Sequence, residues 1–174
     1  MNVVEVKNLS KSFQNVKVLD GINFEIHEGR FLALLGKNGS GKSTILNILI
    51  GNEKLDQGEV YIFGKDIKKD PSEIKNLIGY VSEKIQFSYP MGIRKFLQNY
   101  GRFFDFFDFD FIENAANDLG IPLNKQFDGY SRGQKMQIIL LAALAHRPKL
   151  LLIDEITSVL DASSRKYFIS LLKD

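Results

Sequence analysis

The chain has 174 residues, 44% of them hydrophobic, and a formal net charge of +2. That length and apolar content support one domain with a real core, while so small a charge gives no argument for nucleic acid or a membrane surface as partner. With no cysteine, a disulfide framework and a thiolate metal site are both excluded.

In chain order, the start MNVVEVKNLSKSF alternates and carries charge, unlike a signal peptide. Residues 3–6 and 22–26 alternate as strands do, and the polar stretch 10–18 between them reads as a turn. The apolar run Phe31-Leu32-Ala33-Leu34-Leu35 predicts a strand, and residues 44–50 predict a helix ended by Gly51. Residues 58–64 form a short strand bounded by glycines, and 78–82 is a second β-rich run. From Ile93 the spacing becomes helical, through Phe96, Leu97, Tyr100, Phe103, Phe104 and Phe107. Residues 111–119 and 134–145 also read as helix, so 88–147 is a mostly helical block. Residues 150–153 are wholly apolar, as in a strand buried in a parallel sheet. The last predicted helix, 163–173, has Asp161 as its cap and Tyr167, Phe168, Leu171 and Leu172 on one face. The longest apolar stretch, 138–145, falls far short of the ~18 residues that span a bilayer.

Two segments carry chemistry. Residues Gly36, Lys37, Asn38, Gly39, Ser40, Gly41, Lys42, Ser43 and Thr44 spell GKNGSGKST, which matches the phosphate-gripping pattern G-x-x-x-x-G-K-[ST]. Glycines let the backbone curl so that N–H groups converge on oxyanions, and the helix that follows adds a partial positive charge. Lys42 brings a full charge to the outer phosphates of a nucleoside triphosphate, and the Ser43 hydroxyl is placed for Mg²⁺. The second segment is the apolar strand tipped by Asp154 and Glu155. In α/β sheets ligands sit at the carboxyl ends of strands. Asp154 would then face the Mg²⁺, usually through water, and Glu155 would orient or deprotonate the attacking water. The plain alternatives are a glycine-rich turn and an acidic pair closing a buried strand.

Tyr130-Ser131-Arg132-Gly133-Gln134 precedes a long helical run, with Asp154 twenty positions beyond Gln134. Here the chain resembles the ATP-binding-cassette (ABC) ATPase family, whose signature is usually Leu-Ser-Gly-Gly-Gln. Ser158-Val159-Leu160-Asp161 resembles the family's D-loop, Phe13 sits where an aromatic stacks on adenine, and Glu83 sits where the family has a glutamine. The likeness runs from about Val4 to the end of the chain. It implies an α/β fold: a P-loop NTPase (RecA-like) core with an antiparallel β subdomain and a helical subdomain. The expected division is 1–87 for the β subdomain and phosphate-loop core, 88–147 for the helical subdomain and 148–174 for the rest of the core.

The resemblance also implies function. Lys42 and Glu155 would be catalytic, while Ser43, Glu83 and Asp154 would serve Mg²⁺. Phe13, the phosphate loop, Glu83, Ser131, Gly133 and Gln134 would contact ATP, the last three completing the site of a second ATPase chain packed head to tail. The family's other partner is an integral membrane permease, which implies a cytoplasmic protein, peripheral at the inner face of the cell membrane, with no nucleic acid involved. Departures from the pattern are Arg132 and Tyr130 in the signature, Glu83, and Ile156 and Val159 around the acid-tipped strand. The chain ends at Asp174, ahead of the strand that carries the family's switch histidine. Neither His27 nor His146 occupies its place; both read as surface or helix-end residues. The expectation is therefore a C-terminally truncated domain with C-terminal strands missing, a bare sheet edge, reduced stability and slowed hydrolysis. Two other readings stay open: an ABC ATPase not coupled to transport, and a regulatory module that holds ATP and barely hydrolyses it. The phenylalanine cluster reads either as core or as a docking groove for a partner's helix, with Phe106 and Phe109, set among acids, as its exposed members.

Overall fold

The computed structural model describes residues 1–82, 91–154 and 160–172. Contacts divide the chain into two compact units, Met1–Lys75 and Asn76–Asp174.

The first unit begins with a long antiparallel hairpin, β1 (Asn2–Phe13) and β2 (Val16–His27). Only Gln14 and Asn15 separate the strands, at φ 45° and 66°. Positive φ at both central residues is what a tight two-residue hairpin requires. The polar stretch expected to be a turn is therefore mostly strand, because its polar residues line a ladder that has solvent on one side. Helix α1 (Lys42–Leu49) follows, then β3 (Gln57–Ile62) and the short β4 (Lys65–Asp66). The strand order is β2-β1-β3-β4, all antiparallel. Val4, Val6, Leu9, Val60 and Ile62 from the sheet are buried, as are Ile45, Leu46, Ile48 and Leu49 of α1.

The run 31–35 does not form the expected strand. Among the described residues it has no ladder partner, and Phe31 and Leu35 are 93% and 90% exposed. Apolar composition favours a strand only where a neighbour takes up its N–H and C=O groups. The antiparallel sheet of this unit provides none.

Helix α2 (Pro71–Leu77) leads into the second unit, where β5 (Ile78–Ser82) pairs in parallel with β6 (Leu150–Asp154), Ile78 opposite Leu150 and Ser82 opposite Asp154. Between them lie α3 (Ile93–Gly101), α4 (Phe109–Asp118) and α5 (Arg132–Ala145), and α6 (Ala162–Leu171) comes last. Helix α5 is buried almost all round, from Met136 to Ala143 and again at Ala145, as expected of a central core helix. Leu141 is fully buried there, so Leu141→Ala should lower stability by about 2–5 kcal/mol in urea unfolding.

The helical spacing read from Ile93 to Phe107 ends with α3 at Gly101, whose lack of a side chain lets the Phe107 ring pack where a Cβ would lie 2.8 Å from it. Phe103 accordingly leaves the helix and is 79% exposed, not core. Phe106 and Phe109 are exposed, as their acidic neighbours suggest. Phe104, half-buried, stacks on His146 with ring centroids 3.8 Å apart. His146 ends α5 as expected, yet it is buried, its Nε2 lying 3.0 Å from the Ile78 carbonyl. Burial pushes its imidazole down from the ordinary value.

Strand β6 is less buried than its composition implies: Leu152 and Asp154 are buried and Ile153 is 39% exposed. Among the described residues β6 pairs with β5 alone. Ile153, Leu160, Phe168, Ile169 and Leu172 line an apolar groove of about 200 Å³.

Candidate functional site

In the first unit the loop 36–40 is exposed, Gly41 behind it is buried, and the loop closes on itself. The Lys42 ammonium donates to the carbonyls of Gly36 at 2.8 Å and Lys37 at 2.9 Å, and the Ser40 amide donates to Lys37 O at 3.2 Å. Gly36 approaches Ser40 so closely that a Cβ would lie 2.6 Å from its Oγ. Gly41 caps α1 at φ 90°, and a Cβ there would lie 2.6 Å from Leu19 Cδ2. No side chain caps α1. Its first-turn amides, at Lys42, Ser43 and Thr44, have no carbonyl within their own helix to bond. They are the helix-end donors that suit an anion. The sequence placed the start of this helix at Thr44; it begins two residues earlier, so the lysine itself sits in the first turn.

The same unit positions Phe13. Phe13 pairs with Val16 and Lys11 with Leu19, and Val18 and Leu19 pack against Gly41. The hairpin end therefore lies beside the start of α1, and Phe13 is 42% exposed there. Sequence reasoning overlooked its neighbour Lys11. That side chain is buried, with Nζ 2.8 Å from Glu53 Oε1, 3.4 Å from Asp56 Oδ1 and 5.0 Å from the centroid of the Phe13 ring. Glu53 first, then Asp56, hold its ammonium above the usual lysine range. The signal was available: a lysine two positions before an aromatic shares its face of the strand.

In the second unit Asp154 ends β6 and is buried. Ser131 opens α5 in a reciprocal cap: its Oγ accepts from the Gln134 amide at 3.2 Å, and its own amide donates to Gln134 Oε1 at 3.1 Å. Ser131 is exposed and Gly133 half-buried, so the helix start is presented at the surface. Tyr130, unusual for the signature, is buried, and its hydroxyl donates to Pro122 O and accepts from the Lys125 amide at 3.3 Å. A leucine could make neither bond; here the tyrosine staples the preceding loop to the helix entrance.

Asp161 caps α6, accepting from the Ser164 amide at 2.8 Å and from the hydroxyls of Ser163 and Ser164. Ser164 in turn accepts from Gln137 of α5. The Ser163 hydroxyl, with the amide and hydroxyl of Ser164, holds the Asp161 carboxyl far below the ordinary carboxylate value. A depressed folded value means stability that is full above the unfolded value near pH 4 and is lost as pH falls through the folded one. Asp161→Asn should therefore melt below the parent at pH 7, with the gap narrowing from about pH 4 to pH 2 in thermal scans.

The first unit thus brings together the phosphate loop, Ser43 and Phe13; Asp154 and the signature groups belong to the second. Glu83, Glu155, Ile156, Ser158 and Val159 lie outside the described residues. Ser43 and Asp154 offer a hydroxyl and a carboxylate, hard oxygens of the kind Mg²⁺ takes alongside phosphate and water.

A family model for ABC transporters matches residues 19–158. The chain is 34% identical to the sulfate/thiosulfate import ATP-binding protein CysA of Nephroselmis olivacea, over 97% of this chain and 50% of that protein. It is 31% identical to the ABC transporter ATP-binding protein YtrB of Bacillus subtilis, over 99% of this chain and 59% of the relative. The chain thus spans about half the length of these curated relatives. Among solved structures, an ATP-binding subunit of an ABC transporter superposes with a TM-score of 0.86 at 23% identity, over 98% of this chain and 73% of the other, a likeness of fold. The cbiO1 protein of Clostridium perfringens, part of the ABC transporter complex cbiONQ, gives 0.74 at 26% identity, covering 98% and 72%. The family model and these relatives show that the chain belongs to the ABC transporter ATPase family.

Proposed function

We propose that the chain binds ATP with Mg²⁺ and hydrolyses it to power transport of a substrate through a separate membrane-spanning permease. The observation that carries this is the phosphate loop: it curls through Gly41 at φ 90°, a backbone conformation that strains any side chain, into a helix start that carries Lys42. Gly36, Lys37, Asn38, Gly39, Ser40, Gly41 and Thr44 cradle the phosphates, and Lys42 neutralises the outer ones. Its two bonds to loop carbonyls are the ones a phosphate takes over. Ser43, Asp154 and Glu83 would hold Mg²⁺, which when bound would supply positive charge to the phosphates. Glu155 orients the attacking water, and Phe13 stacks on the base.

Ser131, Gly133 and Gln134 complete the site of a second ATPase chain. Support for this lies in their place at the start of the fourteen-residue helix α5, with Ser131 exposed and Gly133 and Gln134 half-buried. A charge-assisted hydrogen bond to phosphate contributes about 1.5–3 kcal/mol. A few such bonds, present only with ATP, would close a two-fold dimer and release it after hydrolysis. The named relatives include import proteins and a subunit of a transporter complex, which favours a permease partner and a place at the inner face of the membrane. No helix among the described residues is long and apolar enough to cross a membrane itself. The division 1–87, 88–147 and 148–174 is carried as part of this proposal.

Copurification tests the coupling. A tagged chain expressed with its native membrane should retain an integral membrane protein through detergent extraction. Recovery of the chain alone, while it still releases phosphate from ATP, would favour an ATPase uncoupled from transport.

A further inference from the structure

We infer that Lys11 is a positioning residue for the nucleotide base: clamped between Glu53 and Asp56, its ammonium fixes the Phe13 ring in the attitude that stacks on the base. This rests on the reading of Phe13 as the stacking residue. A 42% exposed phenylalanine at a hairpin end has little of its own to hold it. The ladder is also irregular here, with register shifts on both sides of Lys11. What holds the ring is a cation 5.0 Å from its centroid, within the range at which ring and charge attract.

The cation is itself held by the segment that follows the phosphate-loop helix. The Glu53 amide donates to Asn47 O of α1 at 3.1 Å, and its carboxylate takes Lys11. Asp56 binds Lys11 with one oxygen and accepts the Ser12 amide with the other at 2.7 Å, and its own amide donates to Ser10 O at 3.0 Å. The backbone is thus pinned on both sides of Lys11. One continuous path of bonds runs from the helix that would grip the phosphates, through Glu53 and Lys11, to the ring that would meet the base. A surface ion pair would have its side chains in water, whereas the Lys11 side chain is only 10% exposed.

The test compares two probes on the full chain: Mg–ATP, and Mg–tripolyphosphate, which has no base. Titration calorimetry with Lys11→Met and Phe13→Ala should show ATP binding weakened about five- to tenfold in each, with tripolyphosphate binding unchanged. The double variant should bind no more weakly than Phe13→Ala, and Lys11→Arg should restore most of the loss. If Phe13→Ala weakens ATP and Lys11→Met does not, the role of Lys11 is overturned and that of Phe13 stands. If Phe13→Ala leaves ATP affinity intact, the base platform itself is wrong. Equal weakening of both probes by Lys11→Met would make the lysine merely structural and overturn the inference. Should Lys11→Met fail to fold by circular dichroism, Glu53→Gln retains the lysine and loosens the clamp. ATP-selective weakening there supports the inference, and unchanged ATP affinity overturns it.

Discussion

Lys42→Ala is expected to abolish measurable ATP binding while leaving the fold intact. The lysine begins α1 and reaches back to two carbonyls of its own loop, at 2.8 and 2.9 Å. Phosphate oxygens would replace those neutral acceptors with charged ones, and each such bond is worth about 1.5–3 kcal/mol. Loss of two of them corresponds to at least about 3 kcal/mol, or a hundredfold or more in affinity. Alanine retains the helix, because α1 is anchored by Ile45, Leu46, Ile48 and Leu49, all buried, and alanine favours helix. Calorimetric titration with Mg–ATP, paired with a thermal melt, separates the two effects. Unchanged affinity would contradict the assignment of the site.

Glu155→Gln should have the opposite signature: ATP still bound, phosphate release slowed. Glu155 follows Asp154 at the carboxyl end of β6, where ligands of parallel strands are met. The amide matches the carboxylate in size and cannot take a proton. A positioned general base typically contributes 10²–10⁴-fold, so single-turnover phosphate release should fall by about that factor. Equal rates in parent and variant would remove Glu155 from the mechanism.

Much of this was legible in the sequence because the decisive signals are local. GKNGSGKST specifies its own curled loop, SRGQ its own reciprocal cap, and Asp161 its own helix start. Strand β6 was recognisable from four apolar residues and an acid. What failed to show depends on how the pieces pack, mostly with partners distant in sequence. The run Phe31–Leu35 has a strand's composition and, among the described residues, no strand that pairs with it. Phe103 fits a helical period that Gly101 and Phe107 interrupt. His146 looked superficial, yet Phe104 and the Ile78 carbonyl enclose it from forty-two and sixty-eight positions away. Lys11 is the instructive miss within the site, since its carboxylate partners stand more than forty residues on.

The account turns on whether the glycine loop and Lys42 close around phosphate. A crystal structure with a non-hydrolysable ATP analogue and Mg²⁺ tests this directly. The lysine ammonium should leave Gly36 O and Lys37 O for the outer phosphates, with the amides of the first turn of α1 within hydrogen-bond distance of phosphate oxygens. An empty loop at saturating analogue, or a lysine still bound to those two carbonyls beside a seated nucleotide, would contradict it.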